Sequence, residues 1–321
     1  MFDYIEMFYN RKRTLVRNGM LSPVGFEQQQ RTSTEDVSKT WGYSGHALLT
    51  SLASGLEASI TLYPQVVRSK KTIESQLLFL AMKPNLIYDL GMHVGQDTAF
   101  YLKKGFYVVA VEANPELVNR ARQRFSGAIA SGKLIIEPRG IAASSGQAEF
   151  HVNVSNDSWS SFLPEVGGRS GGAQAINVET ITTLDLYATY GVPYFLKIDI
   201  EGFDHLPLQA LRKSATRPRY ISVENGGPEL RALLVELGYD RFKWVNQRDV
   251  PLQRLPFPAR EGRWRPHRFE FGASGAFGEE APGHWMDLHE VEDVIDAYWS
   301  TPQLEPSHDG WGDLHARFAS N

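Results

Sequence analysis

Acidic and glycine residues between positions 87 and 115 are spaced as in a nucleoside-binding turn. Asp89 is followed by Gly91 and Gly95, and Glu112 ends the next apolar run. Glycine lets the backbone turn sharply and approach a ligand closely. A helix that begins after such a turn carries partial positive charge at its N-terminus. The pattern therefore predicts a turn that holds a nucleoside-type cofactor at the edge of a parallel sheet.

The glycine spacing distinguishes between two cofactor classes. Dinucleotide folds use G-x-G-x-x-G to seat a pyrophosphate, whereas this chain has G-x-x-x-G, with His93 at the place of the middle glycine. S-adenosylmethionine carries no phosphate and needs acids instead. We expect Asp89 to serve its methionine end and Glu112 its ribose hydroxyls. A tight turn without a ligand is the alternative, but the nearby Asn114 and Pro115 favour a cofactor site.

A second group of charged residues lies at 197–201. Side chains alternate along a strand, so Lys197, Asp199 and Glu201 share one face. Buried charges need partners, and ligands bind outside the carboxyl ends of parallel strands. We expect Asp199 to bind the acceptor or act as a base, Glu201 to be the second catalytic candidate, and Lys197 to keep Asp199 ionised. A structural Lys–Asp pair at the sheet rim is the alternative.

A metal variant of this site is a secondary interpretation. Glu224 and Asn225 end the next predicted strand and would lie beside Asp199. Their oxygen atoms could ligate Mg²⁺. Our main expectation contains no metal.

These residues require an α/β framework. Apolar runs alternate with helical patterns, which predicts a doubly wound, mostly parallel sheet. The predicted strands are 86–90, 107–112, 133–137, 194–199 and 220–224, and the predicted helices 71–82, 94–104, 115–125, 228–237 and 287–299. Segments 239–246 and 268–271 are expected to pair as an antiparallel edge.

Composition limits the classes of function. The chain has 321 residues, no cysteine and a net charge of −4, so it has no disulfide, thiolate metal site or cysteine nucleophile. Its charge gives no support to a nucleic-acid partner. No apolar run reaches about 18 residues, so no transmembrane segment is expected. We expect a cytoplasmic protein with a small-molecule, glycan or lipid acceptor, and no feature indicates an oligomeric state.

Four segments are predicted. Residues 1–31 resemble the C-terminal tail of insertion-sequence transposases, through Phe-Asp-Tyr-Ile-Glu at 2–6 and Leu-Ser-Pro at 21–23. We interpret them as an extension outside the core, with a native N-terminal helix as the alternative. Residues 32–70 are a linker or lead-in, 71–275 the catalytic domain and 276–321 a C-terminal helical extension.

Residues 86–283 resemble the FkbM family of S-adenosylmethionine-dependent methyltransferases. The similarity rests on Asp-Leu-Gly-x-x-x-Gly at 89–95, Val-Glu-Ala-Asn-Pro at 111–115, Gly-Ile-Ala-Ala at 140–143 and Leu-Lys-Ile-Asp-Ile-Glu-Gly at 196–202. It implies a class I methyltransferase (Rossmann-like) fold and O-methylation of a sugar, glycolipid or natural product. The cofactor contacts would be Asp89, Gly91, His93, Gly95, Glu112, Asn114 and Ile141.

Two other functions compete with this hypothesis. A nicotinamide-dependent oxidoreductase would need the third glycine, which is absent. An inactive remnant of a transposon-disrupted gene would bind no cofactor. Titration with S-adenosylmethionine and with NADH distinguishes the three.

Overall fold

The computed structural model describes residues 82–300 and 311–318. The transposase-like segment, the linker and most of the helix predicted at 71–82 lie outside the described residues. Met82, the last residue of that predicted helix, belongs to a strand instead.

A seven-stranded sheet forms the framework of the described chain. Its strands run in the order β3-β2-β1-β7-β8-β10-β9. Neighbours from β3 to β8 are parallel, whereas β10 is antiparallel to both β8 and β9. The strands are β1 (Met82–Leu90), β2 (Tyr107–Val111), β3 (Leu134–Glu137), β7 (Val192–Ile198), β8 (Tyr220–Glu224), β9 (Tyr239–Asn246) and β10 (Gly312–Phe318). The mostly parallel sheet with an antiparallel edge is therefore confirmed.

Helices cover both faces of this sheet. They are α1 (Gln96–Lys104), α2 (Pro115–Arg124), α3 (Ser126–Ala130), α4 (Pro164–Gly167), α5 (Thr183–Tyr190), α6 (His205–Leu211), α7 (Pro228–Glu236) and α8 (Leu288–Ser300). One apolar core includes Leu196 and Ile198 with residues of α5, α6, α7 and α8. The other includes Phe195 with Phe100 of α1 and Phe277. Strands buried on both faces explain the almost continuous apolar runs of the sequence.

Local sequence sets the boundaries of the two helices nearest the predicted cofactor turn. Gly95 precedes α1 and Gly105 follows it, both with left-handed backbone. Asn114 caps α2 by accepting a hydrogen bond from the backbone N–H of Glu116, and Pro115 occupies the first helical position, as such residues prefer.

A smaller sheet inserts between β3 and β7. Its strands are β4 (Gly140–Ile141), β5 (Gly146–Asn153) and β6 (Ala173–Ile181), in the order β4-β6-β5. The connection from β5 to β6 contains a 3-10 turn, Asp157–Trp159, and helix α4. This connection, residues 154–172, is called the cap loop below.

The pairing predicted for 268–271 is wrong. These residues form no strand, and β9 pairs with β10 instead. β10 comes from the segment predicted as a C-terminal helical extension, of which only α8 is helical among the described residues. No local partner for β10 could be predicted, because its neighbours in the sheet, β8 and β9, lie far away in the chain. No described helix has the length and apolar character needed to cross a bilayer.

Candidate active site at the carboxyl ends of the strands

The turn after β1 is shaped by two left-handed glycines. Gly91 has φ 81° and Gly95 φ 77°. A Cβ on Gly91 would lie 1.8 Å from the carbonyl oxygen of Asp199, and one on Gly95 would lie 2.6 Å from the ring of Phe125. The glycines are therefore required by the close approach of β7 and α2 to the turn.

Glu112 lies at the end of β2 and faces this turn. Its Oε2 accepts a hydrogen bond from the backbone N–H of His93 at 2.8 Å, and its Oε1 accepts one from that of Asn114 at 2.8 Å. Burial raises the pKa of Glu112 although these N–H groups oppose the shift. The two bonds fix the orientation of the carboxylate, as a hydroxyl-binding group requires.

His93 connects the turn to the cap loop. Its backbone is left-handed, with φ 52°, and its Nε2 lies 2.8 Å from Asp157 Oδ1. Arg120 of α2 donates to the other oxygen of Asp157 at 3.1 Å. Burial would raise the pKa of Asp157, but the bonds from His93 and Arg120 outweigh it and lower that pKa. The cap loop is thus fastened beside the turn by an ionised carboxylate.

Lys197 lies at the centre of a buried charge network. Its Nζ is 3.3 Å from Asp89 Oδ1, 3.3 Å from Asp199 Oδ2 and 3.9 Å from Asp97 Oδ2, and it donates to the carbonyl of Gly91 at 3.0 Å. Burial would lower the pKa of Lys197, but the three carboxylates raise it well above its ordinary value. Lys197 is therefore a fixed cation.

Asp89 is the deepest member of this network. It is fully buried, and its Oδ2 accepts a 2.6 Å hydrogen bond from Thr98 Oγ1. Asp97, two residues after Gly95, accepts from the backbone N–H of Ser274. Burial raises the pKa of Asp97 to about 6, against the attraction of Lys197.

Three carboxylates meet where β7 and β8 end. Oxygens of Asp199, Glu201 and Glu224 all lie within 4.8 Å of one another. Oxygen ligands at this spacing can share a proton or hold a divalent cation. Asn225, predicted as a further metal ligand, follows Glu224 with left-handed backbone, and its N–H donates to the carbonyl of Gly312.

Burial and mutual repulsion raise the pKa of two acids of this cluster, Glu201 and Glu224, and of the neighbouring Asp204. Burial, with Asp199 and Asp204 nearby, raises the pKa of Glu201 to about 8 although Arg169 opposes the shift. Burial and the neighbouring acids raise the pKa of Glu224 well above its ordinary value. Burial also raises the pKa of Asp204 to about 6. Groups that titrate near neutral pH can exchange protons with a substrate.

The cap loop reaches this cluster through Arg169. The guanidinium donates to both carboxylate oxygens of Glu201, at 3.1 and 3.0 Å, and lies 4.9 Å from the ring centroid of Trp159. Ser161 donates to the Glu201 carbonyl at 2.7 Å. Asn153 holds the loop by donating to the carbonyls of Gly167 and Arg169.

The predicted site residues fall into two groups. Asp89, Lys197 and Asp199 form one ion network, which Glu201 joins through the acidic cluster. Gly91, His93, Gly95, Glu112 and Asn114 form the turn and its immediate surroundings. Ile141 is buried in β4, within an apolar core. Asn114 uses its side chain as a helix cap.

Sequence reasoning missed several members of the site. Asp157 and Arg169 lie in a loop without a recognisable motif, and no local signal identified them. Asp204 accepts hydrogen bonds from the N–H groups of Ile200 and Gly202, which precede it in the chain, and no motif in the sequence indicated this contact. Asp313 belongs to β10, where polar residues alternate with Leu314 and Ala316, as in a strand.

The donor groups fit S-adenosylmethionine better than a dinucleotide. The oriented carboxylate of Glu112 can accept hydrogen bonds from two ribose hydroxyl groups. His93 stands where a pyrophosphate-binding loop has its second glycine. Its ring is hydrogen-bonded to Asp157.

Residues 89–241 match the model of the Methyltransferase FkbM domain. None of the curated proteins matches the chain in sequence.

Solved structures with weak similarity include three methyltransferases. Methyltransferase FkbM from Methylobacillus flagellatus is 14% identical, with a TM-score of 0.31, over 45% of this chain and 34% of that one. Precorrin-6y C5,15-methyltransferase from Geobacter metallireducens is 11% identical, with a TM-score of 0.31, over 77% and 86%. The 1,6-didemethyltoxoflavin-N1-methyltransferase from Burkholderia thailandensis, solved with S-adenosylhomocysteine, is 13% identical, with a TM-score of 0.30, over 88% and 93%.

The chain thus spans about a third of the length of the first of these structures. The described sheet is that of a class I, Rossmann-like methyltransferase fold, and residues 89–241 within it are similar to the Methyltransferase FkbM domain.

Proposed function

We propose that this domain transfers a methyl group from S-adenosylmethionine to a hydroxyl group of a sugar, glycolipid or natural product. The observation that supports the proposal most is the acidic cluster of Asp199, Glu201 and Glu224. It lies at the same sheet edge as the turn that carries Glu112. Glu112 can orient a cofactor, and a carboxylate of the acidic cluster can accept a proton.

The proposed roles follow from the charges. S-adenosylmethionine supplies, when bound, a methyl group on a positively charged sulfur. Glu112 and the turn after β1 would hold the cofactor, and Asp199 would take the proton of the acceptor hydroxyl. The ammonium of Lys197 lies 3.3 Å from Asp199 and would orient its carboxylate for this task. Glu201 is the second candidate, and its pairing with Arg169 would position the cap loop over the acceptor.

Cofactor binding can be tested by calorimetric titration. The protein should bind S-adenosylmethionine and S-adenosylhomocysteine saturably, and Glu112→Gln should weaken both roughly tenfold or more, because a charged hydrogen-bond acceptor is lost. The matched control is Glu116→Gln, whose carboxylate is solvent-exposed on the adjacent helix. Saturable binding of NADH alone would contradict the proposal.

Catalysis needs a separate test. Candidate glycans and lipids, incubated with the protein and cofactor, should gain one methyl group by mass spectrometry. Asp199→Asn should lower kcat on the order of 10²–10⁴-fold while cofactor affinity stays within a factor of a few. An unchanged kcat would remove Asp199 from the reaction.

A further inference from the structure

A basic and aromatic segment lies outside the candidate active site. Residues 252–271, here called the arginine–aromatic strap, contain five arginines and two glutamates, a formal charge of +3 within a chain of −4. The arginines are Arg254, Arg260, Arg263, Arg265 and Arg268, and all are exposed.

Residues 263–271 of the strap run antiparallel to α1, from the end of that helix to its start. The N–H of Arg263 donates to the carbonyl of Lys104, at the end of the helix, at 2.8 Å. The ring of Phe269 packs 4.8 Å from that of Phe100, and Gln96, at the start of the helix, donates to the carbonyl of Phe271. The backbone of the strap is therefore held in place while its outer side chains face solvent.

A buried ion pair and its hydrogen bonds anchor the end of the strap near Arg260. Lys104 Nζ pairs with Glu280 at 2.8 Å, with both side chains fully buried. The N–H groups of Arg260 and Glu261 donate to the same carboxylate. The Glu261 carboxylate accepts in turn from the hydroxyl of Tyr194. The exposed residues thus stand on a rigid base.

Four large apolar side chains of the strap are exposed to solvent. Leu252 is 71% exposed, Phe257 81%, Trp264 41% and Phe271 60%. The rings of Phe257 and Trp264 meet edge to face, 5.6 Å apart. Exposed apolar groups of this size next to cations are typical of interaction surfaces.

The arginines of the strap are available to an outside partner. Within the described ranges, none of Arg260, Arg263, Arg265 and Arg268 forms an ion pair with a carboxylate. Arg260 and Arg263 also line a cavity of about 370 Å³ between the strap, the end of α1 and the start of β1. Two arginines and Lys104 among the lining residues, against the single acid Glu261, suit an anionic headgroup.

We propose that the arginine–aromatic strap docks the protein on an anionic lipid surface. Arginines attract the negative headgroups, while Leu252, Phe257 and Trp264 enter the boundary between headgroups and acyl chains. Single-stranded nucleic acid would need a series of open stacking faces. Leucine has none, and the Phe257–Trp264 pair already covers one ring face.

The test is sedimentation of the full chain with vesicles of phosphatidylcholine, with and without phosphatidylglycerol. Binding is expected only with phosphatidylglycerol and should fall as salt rises, since the attraction is screened. The double variant R265Q/R268Q should weaken binding on the order of tenfold or more. F257A/W264A should weaken it as well, by removing the inserted groups.

Controls separate lipid docking from misfolding. R122Q/I129A changes an exposed arginine and an exposed isoleucine elsewhere and should bind vesicles like the unchanged protein. All variants should keep their thermal unfolding midpoints. Equal binding to both vesicle types, or none, would overturn the proposal. So would tighter binding to a single-stranded oligonucleotide, or strap-dependent self-association in gel filtration, because each identifies a different partner.

Discussion

At the scale of single residues, the site depends on an imbalance of charge. In the described part of the chain, one cation, Lys197, pairs with Asp89, Asp97 and Asp199, and one, Arg169, pairs with Glu201. Because the acids of the site outnumber its cations, some carboxyl groups, such as Glu201, stay protonated near neutral pH. The site can thereby take up or release a proton without unfolding.

Replacing Lys197 should be among the most damaging single changes. Lys197→Met leaves two buried carboxylates, Asp89 and Asp97, without their cation, at a cost of about 3–5 kcal/mol in free energy of unfolding. Urea denaturation measures this, with the exposed Lys213→Met as control, expected within about 0.5 kcal/mol of the unchanged protein. A loss as small as that of the control would show that the acids are neutral without Lys197.

Asp313 should make stability depend on pH. Burial, and Asp199 nearby, raises its pKa to about 8, whereas an unfolded aspartate titrates near about 3.9. The folded state then keeps a proton that the unfolded state releases. Its contribution to stability is full below about pH 4 and is lost as pH rises through about 8.

Asp313→Asn should flatten this dependence. The slope of unfolding free energy between those two pH values should decrease in magnitude by up to about 1.4 kcal/mol per pH unit. Denaturation series at several pH values measure the slope, and the exposed Asp296→Asn is the control. An identical slope in Asp313→Asn would show that Asp313 is already ionised in the folded protein.

At the scale of elements, strand ends and the turns after them build the site. β1, β2, β7 and β8 all deliver their last side chains to one edge. The turn after β1 touches β7 so closely that only glycine fits at position 91. The cap loop then closes on this edge through Asp157 and Arg169.

Gly91→Ala tests that close approach. A left-handed alanine costs roughly 1–2 kcal/mol, and the overlap of its Cβ with the Asp199 carbonyl adds to this, so we expect a loss above about 2 kcal/mol. Gly127→Ala is the control, since Gly127 lies in α3 with open space around it, and it should be neutral or stabilising. Equal effects, read from thermal unfolding, would contradict the packing argument.

The sequence predicted those parts of the site that lie within one strand or turn. The glycine spacing located the turn before Glu112. Alternation along one strand does not explain how Lys197, Asp199 and Glu201 come together, because β7 ends at Ile198 and Glu201 lies in the turn after it. Asp157 and Arg169 could not be predicted, because their roles depend on how the small sheet folds back over β7. The pairing of β10 could not be predicted either, because its partner strands lie elsewhere in the chain. Its sequence does show the alternation of a strand, since Leu314 and Ala316 alternate with polar residues.

At the scale of the whole molecule, β10 joins two parts of the main sheet. It hydrogen-bonds to β8 on one side and to β9 on the other. It also carries Asp313 to the site and buries Leu314 and Ala316 in the core. The sheet is therefore continuous only when β10 is in place.

Ending the chain at residue 310 should prevent stable folding. β8 and β9 would each lose a neighbouring strand, and exposed edges of this kind favour aggregation. We expect the truncated protein to be insoluble or to lose cooperative thermal unfolding, whereas removal of residues 319–321 alone should preserve it. A truncated protein with an unchanged unfolding midpoint would show that β9 needs no partner strand.

Left-handed backbone at His93, Glu201 and Asn225 restricts which substitutions these positions can tolerate. Each residue follows a strand at the same sheet edge, and β-branched residues are rarely tolerated in that conformation. Asparagine and glycine adopt it at the lowest cost. Substitutions that survive selection at position 93 should therefore be drawn from a short set led by these two. The backbone, as much as the chemistry, then decides which residues can occupy these positions at the sheet edge.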